Sequence, residues 1–297
     1  MMASDDSAAL RHDMRENTIC VKMLGEFAFS NPGNEWMRWR SNKARSLFGV
    51  LLVNKNLVVG KDRLRELLWP EADRSSTSLK VAVHTLRRVL DTHLGADRDY
   101  LRVEYRDFGY VMDVGDEVIV DCHEFERHTS AARDAAARGR RAEAVQLYRR
   151  AVTLYSGEFF SGERDGWVTE QRHWLRALAL SAWEALAEFA LEAGELGDAA
   201  DACRHTLAID TANEAAFRRM MVIHARRGEL QQVEWWYELC AERLREHFEL
   251  DPDHHTRALL RRVLNREFAV EPRPAQSAAG SPGFGRRHRF VSALNSR

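Results

Sequence analysis

The sequence predicts an α+β winged helix-turn-helix domain at the N-terminus, followed by an all-α domain. Strand-like segments flank three helical patterns within residues 18–116, and this order of elements is typical of a winged helix. From Asp121 onward only helical patterns occur, and no proline stands between Pro70 and Pro252. Both parts are long enough to bury a core of their own.

Three helical patterns define the N-terminal domain. Before them, segments 20–29 and 36–40 predict a hairpin around the turn Asn31-Pro32-Gly33. After them, segments 100–105 and 110–114 predict a second hairpin, the wing, with its turn at residues 106–109. The helices are expected over residues 42–53, 61–69 and 76–93.

The all-α part, residues 117–268, repeats a pattern of a glycine followed by an amphipathic helix. The glycines are Gly139, Gly194 and Gly228, and the last two stand 34 residues apart, which is the tetratricopeptide period. Small residues take equivalent places in the three helices, namely Ala144, Ala199 and Val233. We therefore predict a tetratricopeptide-like domain, and we expect it to fold without the winged helix because its repeats contact one another.

Composition excludes several classes of protein. The chain has 297 residues and a net charge of −1. Its four cysteines form no C-x-x-C pair, and this spacing disfavours a zinc site or a disulfide framework. The longest apolar run, residues 48–53, is too short for a bilayer, and residues 1–17 lack the apolar stretch of a signal peptide. We expect a cytoplasmic, nucleoid-associated protein without metal or cofactor. Residues 1–17 and the basic tail 269–297 are predicted to be disordered.

The third helix carries the candidate DNA-binding residues. Leu79, Val83, Leu86 and Leu90 form one apolar stripe, and the opposite stripe consists of Thr77, Lys80, His84, Arg87 and Arg88. In a helix-turn-helix this second stripe enters the major groove, although exposed helices also carry Lys and Arg for solubility alone. Segment 74–106 holds seven Lys and Arg against four Asp and Glu. Further candidates for phosphate contact are Lys43, Arg74, Arg102 and, at the wing tip, Arg106.

Longer stretches carry a family resemblance. Segments 21–25, 47–71, 78–91 and 108–114, with Trp69 closing the second helix and Gly109-Tyr110 closing the wing, resemble the OmpR-type winged helix. Segments 154–176 and 244–264 resemble the bacterial transcriptional activation domain. In this order the two resemble a regulator of the Streptomyces antibiotic regulatory protein family, over about residues 19 to 267.

The resemblance implies an activator of a secondary-metabolite gene cluster. Such a protein binds direct repeats in double-stranded DNA as paired copies and recruits RNA polymerase through its sigma factor, with contacts to other subunits also expected. The family's contacts fall on Lys80, His84, Thr85, Arg87 and Arg88 in the third helix and on Arg106 in the wing. His84 and Thr85 depart from the residues common in relatives, so the operator sequence cannot be transferred, and Gly60 replaces a common capping Ser.

Other motifs point to no enzyme. Asp107-Phe108-Gly109 matches a kinase metal motif but lacks the accompanying phosphate loop, and His123 to His128 has the wrong spacing for a zinc protease. No nucleophile or acid–base pair emerges. The alternative function is a tetratricopeptide-like adaptor that binds a protein partner, and this function would not require the basic stripe on the third helix.

Overall fold

The computed structural model describes residues 18–30, 37, 39, 41–70, 76–94, 100–163, 166–265 and 267. The N-terminal segment 1–17, the turn at 31–36, Arg74 and the tail 269–297 lie outside the described residues. No described helix is both long enough and apolar enough to cross a membrane.

The winged helix-turn-helix fold class is confirmed. Its helices are α1 (Asn42–Val53), α2 (Lys61–Leu68) and α3 (Ser76–Leu94), close to the bounds expected from the sequence. The strands of the wing are β4 (Leu101–Arg106) and β5 (Gly109–Val114), which pair in antiparallel register from Leu101↔Val114 to Arg106↔Gly109. A short strand that the sequence analysis missed, β3 (Val59–Gly60), pairs with β5 and joins the wing to the start of α2.

Local chemistry explains where the first two helices begin. The hydroxyl of Ser41 accepts a hydrogen bond from the Ala44 amide, which caps α1. Gly60 precedes α2 without a side-chain cap, as the sequence analysis expected of this glycine. Gly60 has no side-chain oxygen that could accept a hydrogen bond from the first amides of α2. This helix start therefore contributes less stability than one with a Ser cap.

The N-terminal hairpin differs from the expectation. Segment 20–29 is not one strand but two, β1 (Ile19–Lys22) and β2 (Ala28–Phe29), which pair with each other across a turn. Gly25 makes this turn possible, because it has a positive φ of 93° and lies against Ser156, where a Cβ would clash. The expected partner segment was 36–40, of which the structure describes Met37 and Trp39. The Met37 amide donates a hydrogen bond to the Phe29 carbonyl at the end of β2.

The all-α part consists of three helical hairpins and a final helix. The pairs are α4 (Asp121–Ala137) with α5 (Arg141–Leu154), α6 (Trp167–Glu192) with α7 (Leu196–Ile209), and α8 (Glu214–Arg226) with α9 (Leu230–Phe248), followed by α10 (His254–Leu264). Gly139, Gly194 and Gly228 each end the first helix of a pair at a positive φ of 72° to 75°. The residue after each glycine donates its amide hydrogen five residues back, which is the Schellman arrangement.

The equivalent small positions of the repeat are buried as the sequence predicted. Ala144, Ala199 and Val233 are each fully buried in the first turns of α5, α7 and α9. Their small side chains allow the two helices of each pair to approach closely, which larger residues would prevent. The tetratricopeptide-like reading of the helical part is therefore confirmed.

The two parts share a sheet. A strand that the sequence analysis missed, β6 (Val118–Val120), lies in parallel beside β1, with Cys20 opposite Ile119. The expected boundary between residues 116 and 117 therefore assigns one strand of the N-terminal sheet to the helical part. The reason is that β6 leads straight into α4 and needs an edge to satisfy its backbone groups.

The two parts also share a core. Phe48 of α1 belongs to the same buried cluster as Phe125 of α4 and Phe159 and Phe160, which follow α5. The Phe160 amide donates to the Met23 carbonyl at 2.6 Å, and Leu24 forms an antiparallel bridge with Phe159. This packing does not support the expectation that the helical part folds alone, because removal of the winged helix would expose these phenylalanines.

Asp121 is a buried acidic residue at this junction. Its carboxylate accepts hydrogen bonds from the amides of Met23 at 2.7 Å and Leu24 at 2.9 Å, and so joins the start of α4 to β1. Burial raises the pKa of Asp121 to about 6, although these amide hydrogen bonds act in the opposite direction.

We expect Asp121→Asn to change how stability depends on pH. The folded pKa lies above that of an unfolded Asp, so the folded state binds more protons between about pH 4 and 6. The Asp121 carboxyl therefore makes its full contribution to the free energy of unfolding at low pH, and this contribution is lost as the pH rises through about 6. Relative to Asp121→Asn, the wild-type free energy of unfolding should fall by about 2 kcal/mol between about pH 4 and 6, out of about 3 kcal/mol over the whole titration. Urea titrations at several pH values measure it.

Exposed Asp134 on the same helix supplies the matched control, Asp134→Asn. A constant difference between wild type and Asp121→Asn from pH 4 to 7 would show that the Asp121 carboxyl does not titrate in the folded state as described.

Candidate nucleic-acid interface

The buried side of α3 holds this helix against the winged-helix core. Leu79, Val83, Leu86 and Leu90 are all buried, at 0% to 4% exposure, as the sequence predicted. They pack with residues of α1 in the same core cluster. The opposite side of α3 is thereby turned to solvent.

Three of the expected contact residues are exposed and unpaired. Lys80, His84 and Arg88 follow each other at spacings of four on the outer side of α3. Within the part of the chain that the structure describes, none of the three side chains forms a hydrogen bond or an ion pair. The positive charges of Lys80 and Arg88 are therefore available to an anionic partner without breaking any internal contact.

The remaining α3 candidates are placed differently. Arg87 is exposed, and its Nε donates to the Val103 carbonyl of β4 at 3.0 Å, so it ties α3 to the wing. Thr85 is half-buried at the side of the helix. Thr77 lies in the first turn of α3 with its side chain outside the described part, and Arg74 precedes the helix outside it as well.

Val81 belongs to the exposed side of α3 but was missed in the sequence analysis. Its side chain is 58% exposed, one turn before His84 and two turns before Arg88. An apolar residue in an otherwise polar stripe was the available signal. An exposed valine in a major groove can contact a thymine methyl group, whereas in solvent it gains nothing.

The wing arginines are not free. Arg106 donates to Glu104 Oε2 and, at 2.7 Å, to Asp113 Oδ2, while Arg102 Nε lies 2.8 Å from Glu104 Oε1. The hydrogen bond from Arg106 lowers the pKa of the Glu104 carboxyl, and the same bond raises the pKa of the Arg106 guanidinium. The two arginines and two carboxylates sum to zero, so the side of the wing does not provide the positive charge that the sequence suggested.

Lys43 is also engaged within the protein. Its ammonium donates to the Leu68 carbonyl at 2.6 Å and lies 5.8 Å from the ring centre of Trp69. This contact satisfies a carbonyl at the end of α2, where a cation also interacts favourably with the helix dipole. The structure thus places Lys43 as a cap between α1 and α2 rather than as a surface cation.

The histidines near the start of α4 do not form a metal site. Burial lowers the pKa of His123 to about 4, with repulsion from Lys55 as a lesser cause. Across the described ranges, no group of three or more His, Cys, Asp or Glu side chains is positioned to hold a metal ion. The four cysteines are buried thiols, and burial raises the pKa of each.

Two family models match the chain. The model described as bacterial transcriptional activator domain matches residues 120–264. The model described as transcriptional regulatory protein, C terminal, matches residues 39–112. No curated protein sequence matches the chain.

Solved structures also match the chain. Mycobacterium tuberculosis EmbR in complex with a low affinity phosphopeptide has a TM-score of 0.68 and 22% identity, over 86% of this chain and 66% of that chain. This likeness shows the fold, and the chain spans just under two thirds of the EmbR chain. The C-terminal TPR-containing domain of a Plasmodium falciparum FK506-binding protein has a TM-score of 0.38 and 15% identity, over 50% of this chain and 90% of that chain.

We expect Lys43→Ala to act on stability. Loss of the ammonium leaves the carbonyl of the buried Leu68 without this partner and removes the contact with Trp69, which should cost about 1–2 kcal/mol. Urea unfolding measures this loss. Lys55→Ala, at an exposed lysine, is the control and should change stability by less than about 0.5 kcal/mol. Equal unfolding free energies for Lys43→Ala and Lys55→Ala would show that Lys43 does not cap α2.

Proposed function

Because the chain belongs to the Streptomyces antibiotic regulatory protein family, in which a winged helix precedes a bacterial transcriptional activator domain, we propose that it is a sequence-specific DNA-binding activator. The chain is a transcription regulator. The proposal goes further in three respects: which residues read the DNA, how copies are arranged on it, and what the helical part recruits.

The observation that supports DNA reading is the unpaired side of α3. In helix-turn-helix proteins the second helix of the motif enters the major groove and presents such a side to base edges. Lys80 and Arg88 can donate to guanine O6 and N7 or to phosphates, and Val81 can contact a thymine methyl group. His84, between them, is within the same reach. Arg87 orients α3 through Val103 and keeps other guanidinium hydrogens for phosphate.

The arrangement on DNA follows from the size of this surface. One α3 reads only a few base pairs, which is too little to stand out among the competing sites of a genome. We propose that two copies bind direct repeats side by side and that the helical part mediates their association. The same part contacts the sigma factor and other subunits of RNA polymerase. The regulated genes are those of a secondary-metabolite cluster, and the protein acts on the nucleoid in the cytoplasm.

A second candidate function is that of a protein-binding adaptor. Two half-exposed tryptophans on the helical part, Trp174 and Trp235, favour it, because exposed aromatic residues are common at protein interfaces. An adaptor has no use for the unpaired Lys80 and Arg88. Incubation with a random double-stranded DNA pool at low salt separates the two functions, since only the DNA-binding activator enriches a sequence.

We expect Arg88→Ala to weaken DNA binding more than Arg106→Ala. Arg88 is unpaired, so its loss removes a cation without compensation and should lower the slope of log K against log salt by about one. Arg106 is already paired with Glu104 and Asp113, so its loss removes no phosphate contact and acts only through the one unit of negative charge that it leaves on the wing, an effect that salt screens. Filter binding between 50 and 200 mM salt, on a sequence selected from a random pool, measures both slopes.

Glu104→Gln completes this comparison, with Glu117→Gln as the control. Both variants gain one unit of positive charge, but only the first removes the carboxylate that pairs with Arg102 and Arg106, and Arg106 keeps its pair with Asp113. We expect tighter binding and a steeper salt slope for Glu104→Gln alone. A larger slope change for Arg106→Ala than for Arg88→Ala would assign the phosphate contact to the wing arginine instead.

We expect the spacing of the half-sites to control paired binding. Side-by-side copies on one face of the duplex require half-sites about one or two helical turns apart. Insertion of about five base pairs rotates one half-site by about half a turn and should abolish cooperative binding, whereas about ten should partly restore it. Quantitative footprinting measures the cooperativity. A footprint that tolerates the five-base-pair insertion, or a complex of one protein per operator at saturation, would contradict the paired arrangement.

A further inference from the structure

The tip of the wing is a two-residue turn formed by Asp107 and Phe108. Both residues have positive φ, 45° and 64°, which is typical of a type I′ turn and favours Asn or Gly at these places. A bulky aromatic residue in the left-handed region is an outlier. The neighbouring Gly109 cannot exchange places with Phe108, because a Cβ at Gly109 would lie 2.4 Å from the Val59 carbonyl oxygen of β3.

Phe108 gains little from packing against the described part of the protein. Its side chain is 82% exposed, the largest exposed fraction among the described large apolar residues. Tyr105 and Tyr110 form an edge-to-face pair nearby, but Phe108 has no ring contact within the described part of the chain. Phe108 therefore combines backbone strain with an exposed apolar ring, and both raise the free energy of the protein when no partner is bound. Such a residue is compatible with a stable wing if a partner buries the ring.

Distances along the wing indicate which partner is within reach. Arg87 fixes α3 to Val103 of β4, and the turn follows four to five residues later. At about 3.3 Å per residue the tip extends about 15 Å beyond this contact. Half a helical turn of DNA, the separation between a major groove and the next minor groove, is about 17 Å. With α3 in the major groove, the tip of the wing thus reaches the adjacent minor groove.

We propose that Phe108 inserts into this minor groove as an apolar wedge and opens a base step there. The inference rests on the proposed DNA-binding function and adds to it a contact at the wing. A wedge of this kind partly unstacks the bases and bends the duplex. It favours flexible pyrimidine–purine steps over stiff A-tracts, so the wing contributes specificity without a hydrogen bond to a base.

The charge of the wing is consistent with an apolar contact. Arg102 and Arg106 are paired with Glu104 and Asp113 along its side, and Asp107 is acidic at the tip itself. A tip that bound by phosphate contacts alone would need unpaired cations there. An apolar wedge needs no such cations, because the Phe108 ring itself contacts the bases.

The test compares Phe108→Gly, Phe108→Leu and the wild type on one DNA sequence. The probe is the duplex that the wild-type protein enriches from a random double-stranded pool, and the readouts are affinity and bend angle from the migration of circularly permuted fragments. Phe248→Ala, at an exposed phenylalanine at the end of α9, is the matched control. Thermal unfolding of each variant separates binding from folding, because glycine relieves the strain at position 108 and should leave the melting temperature unchanged or raised.

We expect Phe108→Gly to bind about tenfold more weakly, a loss of the size expected for one buried ring, with a reduced bend and an unchanged salt slope. Phe108→Leu keeps an apolar wedge and should retain most of the affinity and of the bend, and Phe248→Ala should match the wild type. Wild-type affinity and bend in Phe108→Gly would overturn the inference while leaving the proposed function intact. A loss confined to cooperativity between two copies would also overturn it, since Phe108 would then contact protein. If the wild-type protein enriches no sequence, the proposed function itself fails and this inference falls with it.

Discussion

The structure depends on one buried junction between β1, α1 and the segment that follows α5. Asp121 accepts the amide hydrogens of Met23 and Leu24, and the Phe160 amide donates to the Met23 carbonyl. On the opposite side, Gly49 of α1 leaves just enough room for the rings of Phe160 and Trp167, since a Cβ there would lie 2.9 Å from both. Backbone pairing and close packing thus act on the same few residues, and neither part of the chain satisfies these groups alone.

Several side chains hold the segment 156–163 in this junction. Arg172 of α6 donates to the carbonyls of Phe159, Phe160 and Glu163. The largely buried Glu163 in turn accepts from the Ser46 hydroxyl of α1 at 2.5 Å. A chain of hydrogen bonds therefore runs from the long helix α6 through the loop to α1. Because α3 packs on α1, the side of α3 that we propose to face DNA is oriented by the helical part. The proposed paired binding on direct repeats requires such a defined orientation.

The sequence predicted those features that depend on neighbours along the chain. The bounds of α1, the apolar stripe of α3 and the helix-ending glycines such as Gly194 follow from periodicity, capping and backbone freedom, all of which are local. It did not predict the parallel pairing of β6 with β1, because a three-residue strand carries little signal and its partner lies about 100 residues away. The neutralised state of Arg106 was missed for a similar reason. Counting charges over a segment does not show that Asp113 lies across the hairpin from Arg102, beside the guanidinium of Arg106.

We infer that the winged helix and the first helices of the helical part open as one unit. Native-state amide hydrogen exchange on the full chain, at increasing urea below the unfolding transition, tests it directly. We expect the amides of Leu24, of Phe160 and of the core of α1 to exchange with one common free energy and one common dependence on urea. Exchange of the α1 amides at urea concentrations where the Phe160 amide and α4 to α6 remain protected would contradict it, because the junction would then open without affecting the helical part.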